Sequence, residues 1–267
     1  MKKAENPKKK KGGKLTLVII VIALAVMAFA LFKIAQIYKD YQESEQTFEK
    51  LEETYVVNPD GSSVTEDDWN DDTRIQFDAL KKENPDIMAW LRFDNFDDVH
   101  ISYPVLYSGD DSKYLRSDIY GNYHIAGCIF LEGLNNPDFS DYHSIIYGHN
   151  MRNTTMFGDL KRYKNDEGFY EKNQLYIGRN RYPADKVYRY QIFSYYDVDE
   201  DSDIYTVGYG ADDSWQAMID KMVASSMKDT GIHPTKEDKV VTLSTCSKAG
   251  ETKRFVVHGV LVDVKTH

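Results

Sequence analysis

The sequence predicts a mainly β domain, an antiparallel sandwich or barrel, behind a single membrane-spanning helix. Three observations support this: at least seven short segments rich in Val, Ile and Tyr, one amphipathic helix among them, and an unbroken apolar run near the N-terminus. With 267 residues, of which 42% are hydrophobic, the chain suits one globular domain with attachments. Two cysteines are too few for a disulfide-stapled miniprotein, and 13% aromatic residues exclude a wholly disordered chain.

Charge is distributed unevenly along the chain. The formal net charge is −10, which argues against a general nucleic-acid binder, so no nucleic-acid partner is expected. Residues 1–36 nevertheless hold eight lysines and one acidic residue. This pattern indicates a basic N-terminal tail in front of an acidic domain.

The N-terminal apolar run predicts a membrane anchor. Residues 15–32 contain no charge, proline or glycine, and eighteen helical residues span about 27 Å, close to the thickness of a bilayer core. Seven lysines precede the run, so the positive-inside rule places residues 1–14 in the cytoplasm as a basic tail, residues 15–36 in the membrane and all later residues outside. A cleaved signal peptide, cut after Ala30, is the alternative. The run continues beyond that residue, which favours an uncleaved, single-pass type II anchor in the cell membrane.

Two helical segments are expected before the strands. Residues 37–72 are interpreted as a helical stalk and linker, in which 37–56 continue as a helix and 57–72 contain the proline, glycine and acidic residues typical of a linker. A second helix begins with Ile75, Phe77 and Leu80 and stops near Asn84-Pro85, because the residue before a proline disfavours the helical conformation.

From residue 87 onward, apolar segments alternate with Gly, Asp and Asn, as in a succession of strands and turns. One helix is predicted over 213–228, because apolar residues from Trp215 to Val223 recur at helical spacing after a capping-type Asp212. The seven strand-sized segments are IMAWLRF (87–93), VHISYPVLY (99–107), AGCIFLE (126–132), HSIIYGH (143–149), KVYRYQIFSYYDV (186–198), KVVTLSTC (239–246) and RFVVHGVLVDV (254–264).

One cysteine stands where a thiol can react. Cys246 ends a β-branched strand and Arg254 opens the next one, so hairpin geometry would bring the guanidinium beside the sulfur. A neighbouring cation favours the thiolate, and a fixed donor stabilises a developing oxyanion. A half-buried cysteine beside a surface arginine explains these residues equally well.

Cysteine catalysis also needs a proton carrier, usually histidine. Of the seven histidines, His149 is favoured because it ends an apolar strand and enters a loop. His258 lies inside a strand and is expected to be a packed or surface side chain, whereas His143 precedes its strand and is expected to be solvated.

Several segments together resemble the sortases, and within them class B. The resemblance covers roughly residues 75–265, and it is specific because separate motifs occur in the same order behind an N-terminal anchor. The matching segments are TLSTC (242–246) with the following Arg254, SIIYGHNMRNTTMFGDLKRY (144–163), NPDIMAWLRF (84–93), ISYPVLY (101–107), SKYLRSD (112–118) and AGCIFLEGLNNPDFSD (126–141).

The resemblance implies an extracytoplasmic cysteine transpeptidase in residues 73–267. Its fold would be a closed sortase-type β-barrel of about eight strands, with N-terminal helices and one extra helix before the catalytic strand. Cys246 would be the nucleophile, His149 the general acid and base, and Arg254 the residue that stabilises the oxyanion. The substrate-binding residues that the resemblance implies are Leu115, Asp111, Tyr147, Ser244, Thr245 and Tyr205.

The resemblance also implies the partners. They would be secreted proteins that carry a C-terminal sorting signal, a peptidoglycan precursor or pilin amine as acceptor, and the membrane through residues 15–36. The rival interpretations are a membrane-anchored cysteine peptidase that uses water and a non-catalytic tethered assembly module. No cofactor or metal is expected, because the sequence has neither an HExxH nor paired CxxC motifs, and the acidic residues 197–203 lack the glycine of a calcium-binding loop.

The chain departs from the family pattern at a few positions. Asp111 stands where several relatives have asparagine, Ser247 follows the cysteine where others differ, and only seven residues separate Cys246 from Arg254. Cys128 replaces a small residue, so we expect it to be an apolar strand residue that is not linked to Cys246. These departures affect details of the substrate rather than the reaction.

Overall fold

A single helix, α1 (Gly12–Tyr55), runs through the predicted anchor and continues beyond it for 44 residues in all. The apolar side chains of the anchor are exposed, and among the described residues α1 is the one helix long and apolar enough to cross a membrane. The structure is a computed structural model that describes residues 12–58, 60–62, 73–180, 186–246 and 252–266. Most of the predicted basic tail and most of the predicted linker lie outside these ranges.

The second half of α1 packs against the barrel instead of standing free as a stalk. Phe48 and Leu51 are buried in the main hydrophobic core, and the Phe48 ring meets Tyr103 edge-on with ring centroids 5.2 Å apart. Nearer the predicted anchor, Nε2 of His124 lies 2.8 Å from the Asp40 carbonyl oxygen. The part of α1 that follows the predicted anchor is therefore packed into the core of the domain.

A short ladder and a second helix connect α1 to the barrel. β1 (Val56–Val57) pairs antiparallel with β2 (Arg74–Ile75), so the two ends of the linker are held together. α2 (Phe77–Glu83) follows and ends just before Asn84-Pro85, as predicted. It does not include Ile75, which was expected in this helix but pairs with Val56 in the short ladder.

Eight strands close into one barrel, which confirms the barrel and excludes the sandwich. The expectation of a purely antiparallel sheet is wrong, because two of the eight pairings are parallel: β4 with β5 and β6 with β9. One strand, β7, was not among the seven predicted segments, because its apolar part is only Leu-Tyr-Ile before glycine and arginine. The barrel order is β10-β8-β7-β3-β4-β5-β6-β9. The strands are β3 (Ile87–Phe93), β4 (Ser102–Leu106), β5 (Ile129–Leu131), β6 (His143–His149), β7 (Leu175–Asn180), β8 (Lys186–Asp199), β9 (Val240–Cys246) and β10 (Lys253–Thr266).

The connections carry short helices and one longer one. α3 (Arg162–Asn165) and α4 (Phe169–Lys172) each form a single turn between β6 and β7. α5 (Asp213–Ser225) confirms the predicted amphipathic helix, and its N-terminus is capped by the Asp212 carboxylate, which accepts from two backbone N–H groups. Its apolar face, centred on the fully buried Trp215, packs on the outside of the barrel and forms a second core.

Two histidines take part in that second core. His143 and His258 are both completely buried. The expectation that His143 is solvated is therefore wrong: the position precedes its apolar run in sequence, but α5 covers it, and its ring stacks on Trp215 with centroids 5.4 Å apart.

Replacing Phe48 by alanine tests whether α1 belongs to the core. Loss of this buried aromatic ring should lower the free energy of unfolding by about 3 kcal/mol, because a cavity remains where the ring was. Urea unfolding of the full chain in detergent micelles measures the change. The matched control is Glu49→Ala at the exposed neighbouring position, which should shift stability by less than about 0.5 kcal/mol. Equal stability of the two variants would mean that the helix contributes nothing to the fold.

Candidate active site

The pairing of three strands brings the three predicted catalytic residues to one edge of the barrel. β6 and β9 are parallel neighbours whose last residues, His149 and Cys246, are Cα partners. β9 and β10 are antiparallel, with Ser244 opposite Val256, so Arg254 and Cys246 each lie two residues further towards the same edge. Because parallel strands place their C-terminal ends together, residues about 100 positions apart in the chain meet here.

His149 is held in place by a backbone carbonyl. Its side chain is largely buried, with the residue 9% exposed, and Nε2 lies 2.7 Å from the Leu115 oxygen. A carbonyl can only accept, so Nε2 carries a proton and Nδ1 is the nitrogen that gains or loses one. Burial lowers the pKa of His149, and the Leu115 carbonyl partly offsets this by favouring the charged ring. The neutral imidazole is thus the resting form at neutral pH.

The turn that supplies this carbonyl is itself fixed by a close backbone contact. Leu115 ends a 3-10 turn (Lys113–Leu115) that passes directly over Gly127. Gly127 has φ +56°, and a Cβ there would collide with the Tyr114 oxygen and lie 2.8 Å from the Leu115 oxygen. Only glycine allows this approach.

Cys128, the next residue, takes part in the same contact, and its thiol is buried away from reagents. Its N–H donates to the Tyr114 oxygen at 3.0 Å, and its thiol lies 3.3 Å from the Ser117 oxygen. Cys128 is a buried free cysteine, and burial raises the pKa of its thiol. It is therefore a structural residue.

Arg254 places its guanidinium beside two aromatic rings of the site. Its guanidinium carbon lies 5.5 Å from the Tyr205 ring centre and 6.0 Å from that of Tyr147, and an acidic oxygen of Glu200 is 3.9 Å away. Among the described residues its buried Nε has no hydrogen-bond partner. Because Arg254 also lines the cleft at this edge of the barrel, its guanidinium can donate to an anionic or carbonyl ligand there.

An open cleft at this edge of the barrel contains most of the predicted site. Three of the substrate-binding residues implied by the resemblance line it beside His149 and Arg254, whereas Arg116 and Phe130 line it without having been predicted. The predicted residues are Asp111, Leu115 and Tyr147. Phe130 could have been found from the alternation in AGCIFLE, whereas the sequence around Arg116 holds no such signal.

Ser244, Thr245 and Tyr205 do not line this cleft. The Ser244 and Thr245 side chains are buried. The Tyr205 hydroxyl lies 3.0 Å from the Ser244 oxygen, and its ring stacks on Tyr147 at 6.2 Å. Thr245 accepts from the N–H of Phe255 at 2.8 Å, which ties the end of β9 to the start of β10. These contacts join the Tyr205 loop to β9 and β9 to β10.

Glu132 is a further ionisable group at the cleft that the sequence analysis did not select. Tyr147 donates to its carboxylate at 2.8 Å. Burial raises the pKa of Glu132, and the neighbouring Asp111 adds to the rise while the Tyr147 hydroxyl opposes it. Asp111 accepts from the N–H of Gly133 at 2.6 Å, which brings the two carboxyl groups together.

Three of the five acidic residues in 197–203 form ion pairs with lysines. Among the described residues, no group of three or more His, Cys, Asp or Glu could hold a metal ion. The pairs are Asp197 with Lys164, Asp199 with Lys253 and Asp203 with Lys221.

Comparisons with known proteins identify the family of the chain. The model of the sortase domain matches residues 95–262. Sortase B of Staphylococcus aureus is 28% identical over 252 residues, which cover 94% of this chain and 97% of the relative. The structure of sortase B from B. anthracis in complex with AAEK1 superposes with a TM-score of 0.69 at 26% identity, over 85% of this chain and 99% of that one. A Staphylococcus aureus sortase B–substrate complex gives 0.64 at 29% identity, over 70% and 85% of the two chains.

More than half of the chain thus matches the family model, and relatives of class B match it nearly end to end. The chain belongs to the sortase family and is a class B sortase, a cysteine transpeptidase.

Proposed function

We propose that this sortase cleaves a C-terminal sorting signal of secreted proteins, forms a thioester on Cys246 and transfers the acyl group to a primary amine of the cell wall or of a pilin. The observation that carries the proposal is the convergence of three strand ends, which aligns Cys246 with His149 and brings Arg254 to the same edge. A sortase B of Staphylococcus aureus has been solved with a substrate, and another sortase B structure holds triglycine, an amine-bearing peptide.

In the first step, the Cys246 thiolate attacks a carbonyl carbon of the sorting signal. A carbon–sulfur bond forms, and the negative charge that develops on the carbonyl oxygen is stabilised by Arg254. Removing one such donor typically costs 10²–10³-fold in kcat, by order of magnitude. The carbon–nitrogen bond then breaks, and protonated His149 gives its Nδ1 proton to the departing amine.

In the second step, a primary amine attacks the thioester. Neutral His149 accepts the amine proton at Nδ1, a new amide bond forms, and the Cys246 thiolate leaves. Nε2 keeps its proton throughout, because the Leu115 carbonyl requires it. The same histidine therefore serves as acid and then as base without turning its ring.

The N-terminal helix gives this chemistry its location. With residues 15–36 in the membrane and residues 1–14 in the cytoplasm, the domain that packs on the second half of α1 lies just outside the membrane. Substrates and cell-wall precursors that are also held at the membrane would meet the cleft at a raised effective concentration.

The test of this function is a reaction of the full chain, in detergent micelles, with a library of quenched peptides. The library includes the form Asn-Pro-X-Thr-X, which the resemblance to class B sortases suggests. Triglycine serves as the amine. We expect an acyl-enzyme on Cys246 by intact-mass measurement and an amide product with triglycine. Cys246→Ala should abolish both, whereas the matched variant Cys128→Ala should keep them, since that thiol is buried.

Hydrolysis at full rate without triglycine, and no amide product with it, would favour the peptidase that uses water. If the wild-type chain forms no acyl-enzyme on any peptide of the library, the transpeptidase proposal fails and the tethered assembly module becomes the better interpretation.

The pH dependence of kcat/KM should be bell-shaped. The active form pairs a thiolate with a protonated His149, and burial lowers the pKa of His149 below its usual 6.5. The acidic limb should therefore lie below pH 6.5. Below the pKa of His149 the inactive pair of a thiol and an imidazolium becomes the dominant species, so the fraction of enzyme that holds a thiolate and an imidazolium falls. The alkaline limb should report deprotonation of Cys246. A rate that changes in one direction only across pH 4 to 10 would contradict this pairing.

Gly127→Ala tests the turn that orients His149. The new Cβ would collide with the Tyr114 and Leu115 oxygens and displace the carbonyl that binds Nε2. We expect kcat to fall by about 10²-fold, the size typical of a catalytic group displaced by 1 Å. Gly121→Ala is the matched control, since that glycine also has a positive φ but meets nothing within 4 Å. Equal activity of the two alanine variants would mean that the Leu115 carbonyl does not orient the histidine.

A further inference from the structure

A chain of buried hydrogen bonds crosses the barrel wall beneath α5, away from the cleft. His143, Thr242 and His258 are all completely buried there. Nδ1 of His143 lies 3.0 Å from the Thr206 oxygen, Nε2 of His143 lies 2.7 Å from the Thr242 hydroxyl, and that hydroxyl lies 2.8 Å from Nδ1 of His258. These side chains take no part in the reaction described above.

Elementary donor and acceptor rules assign a direction to every bond in this chain. The Thr206 carbonyl only accepts, so Nδ1 of His143 must carry the proton, and Nε2 of a neutral His143 must accept from the Thr242 hydroxyl. The Thr242 oxygen then accepts from the N–H at Nδ1 of His258, whose Nε2 has no partner among the described residues. Burial lowers the pKa of both imidazoles, that of His143 to about 4, which keeps them in the neutral form that the assignment needs.

The hydrogen-bond chain joins the same three strands that carry the catalytic residues proposed above. Each of its members lies four to six residues before or after one of them, on β6, β9 and β10. Thr242 is the Cα partner of Ile145 on one side and of His258 on the other. The pairs, one for each strand, are His143 with His149, Thr242 with Cys246 and His258 with Arg254.

The first of these hydrogen bonds, from His143, also reaches the loop that contains Tyr205. Thr206, whose carbonyl accepts from His143, directly follows Tyr205. Tyr205 bonds to Ser244 on β9 and stacks on Tyr147, and the Arg254 guanidinium lies 5.5 Å from its ring. The loop is consequently fastened to β9 through Ser244 and, by way of His143, through Thr242.

Burying polar side chains at these positions costs desolvation free energy. Apolar side chains of similar volume would avoid the desolvation cost, and a buried polar group is tolerated only when its bonds are made. What the bonds add is selectivity for one arrangement, because a slip of one residue between two strands would turn each polar side chain to the opposite face.

We propose that His143, Thr242 and His258 are positioning residues for the transpeptidase reaction. Their hydrogen bonds fix the register of the three strands that bring His149, Cys246 and Arg254 together, and they hold the Tyr205 loop against β9. The inference rests on the proposed function, but its test includes a measurement that does not depend on turnover.

Thr242→Val keeps the volume of the side chain and removes both hydroxyl bonds, whereas Thr242→Ser keeps the hydroxyl. In the quenched-peptide assay with the full chain, the valine variant should lose at least about tenfold in kcat with a smaller change in KM, because the reacting groups are displaced rather than the substrate contacts. The serine variant should recover most of the loss.

Ser194→Ala is the matched control for a merely structural effect. Ser194 is also completely buried beside α5, where its hydroxyl donates to the Met222 oxygen at 2.6 Å. It does not take part in the hydrogen bonds that join His143, Thr242 and His258. Its loss should cost stability comparable to that of Thr242→Val and leave kcat unchanged. Equal loss of kcat in the two variants, or full activity of Thr242→Val, would overturn the proposal.

Hydrogen exchange at the backbone amides of Gly148 and Thr245 gives the independent measurement. Both amides should exchange faster in Thr242→Val than in the wild type or in Ser194→Ala, and unchanged exchange would overturn the proposal even if no peptide is turned over. Should the valine variant fail to fold, His258→Leu replaces it. That variant removes only the last bond of the chain, so a smaller change in the same direction is expected, and no change would contradict the proposal.

Discussion

The parallel pairing of β6 with β9 is the constraint on which the site depends. Parallel strands end at the same edge of a sheet, and the register makes the last residue of β6 the partner of the last residue of β9. His149 and Cys246 can therefore meet although 96 residues separate them in the chain. A shift of one residue would send one of the two side chains to the opposite face of the barrel wall.

Other contacts at the site hold the side chains around these two strand ends in place. The turn at Leu115 sets the tautomer of His149, and it can do so because Gly127 allows two backbones to touch. The Thr245 hydroxyl accepts from the N–H of Phe255 and so joins the end of β9 to the start of β10. This bond fixes the position of the neighbouring Arg254. Backbone carbonyls and buried hydroxyls thus do most of the positioning, while His149 and Arg254 line the cleft.

Much of the fold could be predicted from residue patterns, and the reasons for the exceptions are physical. The α5 helix was evident from its apolar spacing, and α2 from the proline that ends it. The parallel pairings were not evident, because alternation along a strand reports burial and says nothing about the direction of its neighbour. β7 was missed because only three apolar residues mark it.

The predicted site divides in the same way. His149 and Cys246 stand at strand ends in the sequence, so their position at the barrel edge follows once the strands are known. Ser244 carries a plausible polar side chain beside Cys246, but its hydroxyl is used inside the wall by Tyr205, a contact made across 39 residues. The burial of His143 depends on α5, which lies about 70 residues away in the chain, so its surroundings could not be seen locally. Long-range contacts of this kind need the fold.

We propose that a sulfur, an imidazole and a guanidinium act on one carbonyl. A crystal structure of the full chain with Cys246 acylated by a sorting-signal peptide would show whether they do. We expect Nδ1 of His149 and the Arg254 guanidinium both to lie within direct or water-bridged hydrogen-bond reach of the thioester group. A thioester beyond such reach of both groups would contradict it.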